Sequence, residues 1–177
     1  MCKSEQRRLI QEYKKQFTPD QVRQLSAETM SHVECHPAFR AAPIIILYYS
    51  LPDEVFTHQF IDNWCQKKTI LLPKVNGNGL TLHPYYSASS IQEGYMHITE
   101  PTTEAFTDYP SISLALIPGI AFDKNGYRLG RGMGFYDRLL ANHDLSNTYK
   151  IGIAFPFQIL PHICHEEHDI KMDEVIT

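Results

Sequence analysis

The chain has few cysteines, no long apolar run, no excess of positive charge and no internal repeat. Its four cysteines stand at positions 2, 35, 65 and 164, and no two form a CxxC pair. In a chain of 177 residues, long enough to build its own core, such scattered thiols exclude a disulfide scaffold and fit a reducing compartment. The longest strongly apolar run, Ile44 to Tyr49, is far too short to span a bilayer. Met1-Cys2-Lys3-Ser4-Glu5-Gln6-Arg7-Arg8 has no apolar stretch behind it, unlike a secretory signal. A cytoplasmic protein with no membrane partner is expected. Lys and Arg total 16 against 20 Asp and Glu, and the net charge of −4 argues against a general nucleic-acid binder. No low-complexity tract or linker divides the chain. Its 43% hydrophobic and 20% charged residues are those of a globular protein, not a disordered one.

Helices and apolar strands alternate along the sequence. Residues 3–16 are rich in Lys, Arg, Glu and Gln, which favour a helix. Thr18-Pro19 reads as an N-cap followed by proline at the first helical position. Val22, Leu25, Met30 and Val33 give that second helix an apolar face ending before Pro37. The run Ile44 to Tyr49 lacks alternation, as in a strand buried on both faces. Phe56, Phe60 and Trp64 predict a third helix after Pro52-Asp53-Glu54. Thr69–Pro73, Ser113–Pro118, Lys150–Phe155 and Ile170–Ile176 read as further strands, and Phe135 to His143 as a helix. The expected fold is a three-layer α/β/α single domain over residues 1–177 with a largely parallel central sheet. Residues 74–110 are read as an irregular insertion or lobe, with short strands near 80–83 and 95–98 and a capping box from Ser90 to Glu93.

One segment concentrates chemistry. Five of the nine glycines and three of the seven arginines lie between Pro118 and Arg138. Glycines let successive backbone N–H groups turn towards one anion, and the loop feeds a helix start. Arg128, Arg131 and Arg138 add forked donors suited to phosphate oxygens, and Asp137 is placed to hold Mg²⁺ between phosphates. The plain alternative is a glycine-rich connection with solvated arginines. The segment is not a Walker A loop, and Gly130-x-Gly132-x-Gly134 is not a dinucleotide fingerprint. His162, Cys164, His165 and His168 offer zinc-type ligands in a spacing that fits no standard site. No neighbour of Cys164 suggests an activated nucleophile.

The run from Pro118-Gly119-Ile120-Ala121-Phe122-Asp123 through Gly126-Tyr127-Arg128-Leu129-Gly130-Arg131-Gly132-Met133-Gly134 to Phe135-Tyr136-Asp137 closely resembles the signature of the 5-formyltetrahydrofolate cyclo-ligase family. The resemblance extends over most of the chain. It implies an ATP-dependent enzyme that closes 5-formyltetrahydrofolate to 5,10-methenyltetrahydrofolate and releases ADP and phosphate. The formyl oxygen is phosphorylated and N10 then attacks the formyl carbon. Lys3 and Arg7, Arg128 to Tyr136, and above all Arg128 and Arg131 are then the nucleotide-binding and catalytic residues. Gly130, Gly132, Gly134, Leu129, Met133, Phe135 and Tyr136 line that loop. Tyr49 and Glu54 meet the folate together with Arg131, Gly132, Met133, Gly134 and Phe135, and Met96 aligns loosely with a pocket residue. Asp137 and Asp169 are the candidate Mg²⁺ ligands. Taken alone, Lys3 and Arg7 read as a solvated basic helix, and Asp53 and Glu54 as acidic residues at a helix start. Met133 stands where Gly or Lys is common in the family, and Phe135 where Tyr is common. ATP, Mg²⁺ and the folate are the expected small-molecule partners of a monomer. Another ATP-dependent ligase or kinase, a non-catalytic protein that sequesters folate or nucleotide, and an RNA-binding module are the competing classes. The absence of an aromatic-basic stripe weighs against the last.

Overall fold

Side chains along the central strands alternate between two cores. The computed structural model describes residues 1–94 and 99–177. The chain runs α1 (Lys3–Lys14), α2 (Pro19–Cys35), α3 (Pro37–Ala41), β1 (Ile44–Ile46), α4 (His58–Trp64), β2 (Thr69–Asn76) and β3 (Gly79–Tyr85). It continues β4 (Ile91–Glu93), β5 (Thr99–Pro101), β6 (Leu114–Pro118), β7 (Ala121–Asp123) and β8 (Arg128–Leu129). It ends with α5 (Phe135–Leu140), β9 (Tyr149–Ile153), β10 (Ile159–Leu160) and β11 (Glu174–Ile176).

The main sheet has six strands in the order β11-β9-β6-β1-β2-β3. Every neighbour pair is parallel except the β2–β3 hairpin. On one face Ile45, Ile70, Leu72, Leu114, Leu116 and Ile151 pack against Val33, Phe39, Phe60 and Ile61 of α2, α3 and α4. On the other, Ile46, Leu71, Ala115 and Ile117 meet Leu139 and Leu140 of α5. Both faces are covered, which is why these strands read as unbroken apolar runs. The result is a mixed α/β single-domain fold with a central, mostly parallel sheet. A smaller core joins Ile10 of α1 to Ala121, Leu129, Leu160 and Ile163. It seats α1 on a second, three-stranded sheet, β10-β7-β8.

Helix α2 begins as its sequence indicates. Thr18 Oγ1 accepts from Gln21 N–H, and the Gln21 side chain accepts from Thr18 N–H. The third expected helix starts later than its aromatic spacing indicates. Thr57 and Ser50 close the preceding loop through reciprocal bonds, with the Thr57 hydroxyl also donating to Tyr48 O. Helix α4 therefore opens at His58, which leaves Phe56 off the helix and 48% exposed. Asp53 and Glu54 lie in that loop rather than at a helix start. Ser90 ends a 3₁₀ turn and Ile91–Glu93 form β4, so no capping box opens a helix there. The helix after the glycine loop stops at Leu140, short of His143. Within 74–110, β2 and β3 extend into a long hairpin, and β4 pairs antiparallel with β5. The strand expected near 95–98, and Met96 with it, fall outside the described residues. Among the described residues no helix is long and apolar enough to cross a membrane.

Candidate functional site

The order of the strands locates a crevice. The β1–α4–β2 crossover covers one face of the sheet and β6–α5–β9 the other. The loops leaving the carboxyl ends of neighbouring β1 and β6 therefore diverge. Such a switch point is where open α/β sheets bind ligands. The first loop carries Tyr49, Asp53 and Glu54, and the second carries the glycine-rich segment.

The second loop is built on a buried carboxylate. Asp123, almost fully shielded from solvent, accepts from Asn125 N–H at 2.9 Å and Tyr127 N–H at 3.1 Å through one oxygen. Its other oxygen accepts from Ile163 N–H at 2.9 Å. These bonds fix the β7–β8 turn and deliver Arg128 beneath the loop. One Arg128 terminal nitrogen donates to Asp137 Oδ1 at 2.9 Å, and its guanidinium lies 5.5 Å over the Tyr136 ring. Its Nε is buried with no hydrogen-bond partner among the described residues.

From Gly130 to Gly134 the backbone turns with φ of 104° at Gly132 and 65° at Gly134. L-residues with side chains rarely adopt such values, so glycine is required. Among the described residues, the N–H groups of 130–134 donate to no protein acceptor. A glycine turn with free amides is an anion-binding concavity. Helix α5 has only six residues and contributes little dipole, so the loop amides carry the attraction.

Cations surround that turn. Arg7 Nε donates to Gly130 O at 2.9 Å. One turn back on α1, Lys3 Nζ lies 2.8 Å from Asp169 Oδ2 and 3.3 Å from Glu166 Oε1. The Asp169 hydrogen bond raises the Lys3 pKa. Burial acts to raise the Asp169 pKa, but Lys3 and the Glu166 N–H outweigh it and hold the carboxyl below the usual range. Arg131 bridges the two loops. It donates to Asp53 Oδ1 at 2.5 Å and to Glu54 Oε1 at 3.1 Å. Lys14 meets the other Asp53 oxygen at 3.2 Å. Burial pushes the Asp53 carboxyl up, yet Arg131 and Lys14 overcome it and the net shift is downward. The remaining Glu54 oxygen accepts from Leu51 N–H at 3.0 Å. Tyr49 stacks on His58 at 3.7 Å between ring centres, and burial lowers the His58 pKa.

The sequence-derived residues thus form one constellation in two halves. Arg7, Arg128, Arg131 and the 130–134 backbone surround one turn, with Tyr136 below it. Glu54 is tied to this half directly through Arg131. Lys3 and Asp169 form their own pair, joined to the loop through α1. Asp137 and Asp169 supply hard carboxylate oxygens and each already faces a cation. Among the described residues no group of three His, Cys, Asp or Glu is placed to hold a metal. Mg²⁺ bound with nucleotide phosphates needs only one or two carboxylates, and each of these two is an oxygen donor of the right chemistry. The His162–His165 cluster is packing: His165 stacks on Tyr127 at 3.4 Å and His162 meets its edge. Sequence reading missed Asp53, the closest Arg131 partner, and the stacking of His58 on Tyr49. The acidic pair Asp53-Glu54 was the only visible signal for the first.

A model of the 5-formyltetrahydrofolate cyclo-ligase family matches residues 1–177. The chain belongs to that family. It is 32% identical to the mouse 5-formyltetrahydrofolate cyclo-ligase over 161 residues, covering 81% of this chain and 77% of the relative. The 5-formyltetrahydrofolate cyclo-ligase of Escherichia coli K12 is 28% identical over 176 residues, 96% of each chain. The solved structure of Aquifex aeolicus 5,10-methenyltetrahydrofolate synthetase superposes with a TM-score of 0.86 at 30% identity. That match covers 99% of this chain and 89% of the other. The cyclo-ligase family is an enzyme family.

Proposed function

We propose that the chain cyclises 5-formyltetrahydrofolate to 5,10-methenyltetrahydrofolate while converting ATP to ADP and phosphate. The observation that carries this reading is the turn at 130–134, whose free N–H groups lie among Arg7, Arg128 and Arg131. A formamide oxygen is a poor leaving group until it is phosphorylated. N10 then attacks the formyl carbon, the five-membered ring closes and phosphate departs. Phosphoryl transfer needs positioning and charge neutralisation more than a protein nucleophile.

The chain's residues divide that work. The amides of Gly130, Arg131, Gly132, Met133 and Gly134 hold phosphate oxygens, flanked by Leu129, Phe135 and Tyr136. Lys3 and Arg7 neutralise the polyphosphate from the α1 side. Arg128 supports the loop from below through its bond to Asp137. Asp137 and Asp169 would hold Mg²⁺, which supplies charge neutralisation between phosphates when bound. Tyr49 presents an aromatic face to the folate. Glu54 accepts from the amino and ring N–H donors of the pterin. Its Oε1 is the atom that now holds Arg131. Pterin donors replacing Arg131 there leave its guanidinium held by Asp53 alone and freer to turn towards the transferring phosphoryl group, where it stabilises developing charge.

The test mixes purified protein with Mg-ATP and (6S)-5-formyltetrahydrofolate and follows near-ultraviolet methenyl absorbance and ADP together. The expected result is product formation that requires ATP. It should be lost in folded Arg131→Ala and in Asp137→Asn, which keeps an oxygen acceptor for Arg128. Absence of turnover by folded wild-type protein across divalent metals contradicts the proposal.

A further inference from the structure

Two arginines around the glycine turn have no carboxylate partner among the described residues. Arg7 is one, and it faces the turn itself. The other is Arg138, whose hydrogen-bond partners among the described residues are carbonyl oxygens. Its Nε donates to Asn78 O at 2.6 Å and a terminal nitrogen to Met133 O at 2.7 Å. These bonds fix the guanidinium without neutralising it. Arg138 borders a cavity of about 710 Å³ lined also by Val75, Gly77, Asn78, Met133 and Phe135. That volume falls within the usual ~300–1,000 Å³ of small-molecule sites. Among the described residues no carboxylate lines it and the Asn78 side-chain amide has no protein partner. Phe135 packs 5.4 Å from the Arg138 guanidinium, and Met133 is 64% exposed, so both offer apolar surface.

The ligand that fits is an aryl group extended by an arm that carries carboxylate beyond the ring. The ring is served by Phe135, Met133 and Val75, and the carboxylate by Arg138 and Asn78. A nucleotide base fits less well, since it carries no charge for Arg138 to meet. The polyphosphate already has Arg7, Arg128, Arg131 and the loop amides. One loop links the two places: Arg131 pairs with Glu54 at one end, and Met133 and Phe135 wall the cavity at the other. We infer that this cavity, between the β2–β3 hairpin tip and the start of α5, is the subsite for the benzoyl-glutamate arm of the folate, with Arg138 its specificity-determining residue. The inference rests on the proposed function, to which it adds where the substrate's anionic end is held.

The experiment has two independent arms. In the first, the full chain is titrated with p-aminobenzoyl-L-glutamate and with the uncharged p-aminobenzamide, and amide shifts of Asn78, Met133 and Phe135 are followed by NMR. The glutamate conjugate should shift these signals and bind about tenfold more tightly than p-aminobenzamide, the increment of one charge-assisted pair. That difference should vanish in Arg138→Met. In the second, steady-state kinetics compare wild type, Arg138→Met and Arg138→Lys. The expected result is an increase of about tenfold in KM for 5-formyltetrahydrofolate in Arg138→Met, partly restored by lysine. With 5-formyltetrahydropteroate, which lacks the glutamate, wild type and Arg138→Met should have the same KM. A rise in KM for ATP instead assigns Arg138 to the nucleotide and overturns the inference, as does a failure of the conjugate to bind at these residues. Failure to turn over any folate contradicts the proposed function but not the subsite, which the binding arm then decides. If Arg138→Met does not fold, the wild-type comparison of conjugate and p-aminobenzamide decides it.

Discussion

Arg131 and Glu54 are 77 residues apart in sequence and 3.1 Å apart in space. Their ion pair joins the loop after β1 to the loop after β6, the two sides of the switch-point crevice. Asp53 strengthens the tie at 2.5 Å, and Lys14 holds Asp53 from α1. The phosphate-type turn and the expected folate carboxylate are thus one electrostatic unit.

Glu54→Gln should separate folate recognition from nucleotide recognition. Its amide presents one acceptor oxygen without charge, so a bidentate contact to the pterin is lost. A charged hydrogen bond contributes roughly 1.5–3 kcal/mol, so KM for the folate should rise about 10- to 100-fold. KM for ATP should change little. Initial-rate measurements with each substrate varied in turn check this. A rise confined to ATP contradicts the role given to Glu54.

Arg128 and Asp137 form the least exposed ion pair of the loop, with side chains 5% and 17% exposed. Asp137→Leu leaves a buried guanidinium unpaired and should destabilise the protein by about 3 kcal/mol, near the lower end for broken buried pairs. The double substitution Arg128→Met, Asp137→Leu should recover most of that loss, because apolar replacement of a buried pair is often neutral. Activity should not return. Urea unfolding and the methenyl assay on the same samples separate support of the fold from chemistry.

The Lys3–Asp169 pair predicts a pH dependence. The Asp169 carboxyl is held below its ordinary value, so its contribution is whole above about pH 4 and is lost as pH falls further. Lys3 is shifted up, so its contribution is whole below about pH 10 and is lost as pH rises further. Both groups are partly exposed, at 28% and 12%, and the pair should contribute no more than about 1 kcal/mol. The difference in urea midpoint between wild type and Lys3→Met should be constant between these limits and shrink near pH 3. A difference that grows on acidification contradicts the assignment.

The sheet was legible where strands are buried on both faces. Ile44–Ile46, Leu114–Pro118 and Ile151–Ile153 are runs that no half-exposed strand would carry. Thr18-Pro19 also announced its helix, because a cap is a local device. The start of α4 was not legible: Thr57 is drawn into the Ser50–Tyr48 loop, a tertiary arrangement that overrides the periodicity of Phe56. The long β2–β3 hairpin was hidden because Pro73 and Pro84 interrupt its pattern, and β2 was read as ending at Pro73. The glycine turn could be read from residue type alone. The partnership of Arg131 with Asp53 could not, since it depends on two loops meeting at the sheet's edge. Arg138 was visible as a cation, but its lack of a carboxylate partner is a property only of the folded chain.

The most direct test of the central claim follows one oxygen atom. Substrate labelled with ¹⁸O at the formyl oxygen is turned over with Mg-ATP in unlabelled water, and the released phosphate is analysed by mass spectrometry. If the formyl oxygen is phosphorylated and leaves as phosphate, each phosphate carries one label. Unlabelled phosphate, with the label lost to water, would contradict the account.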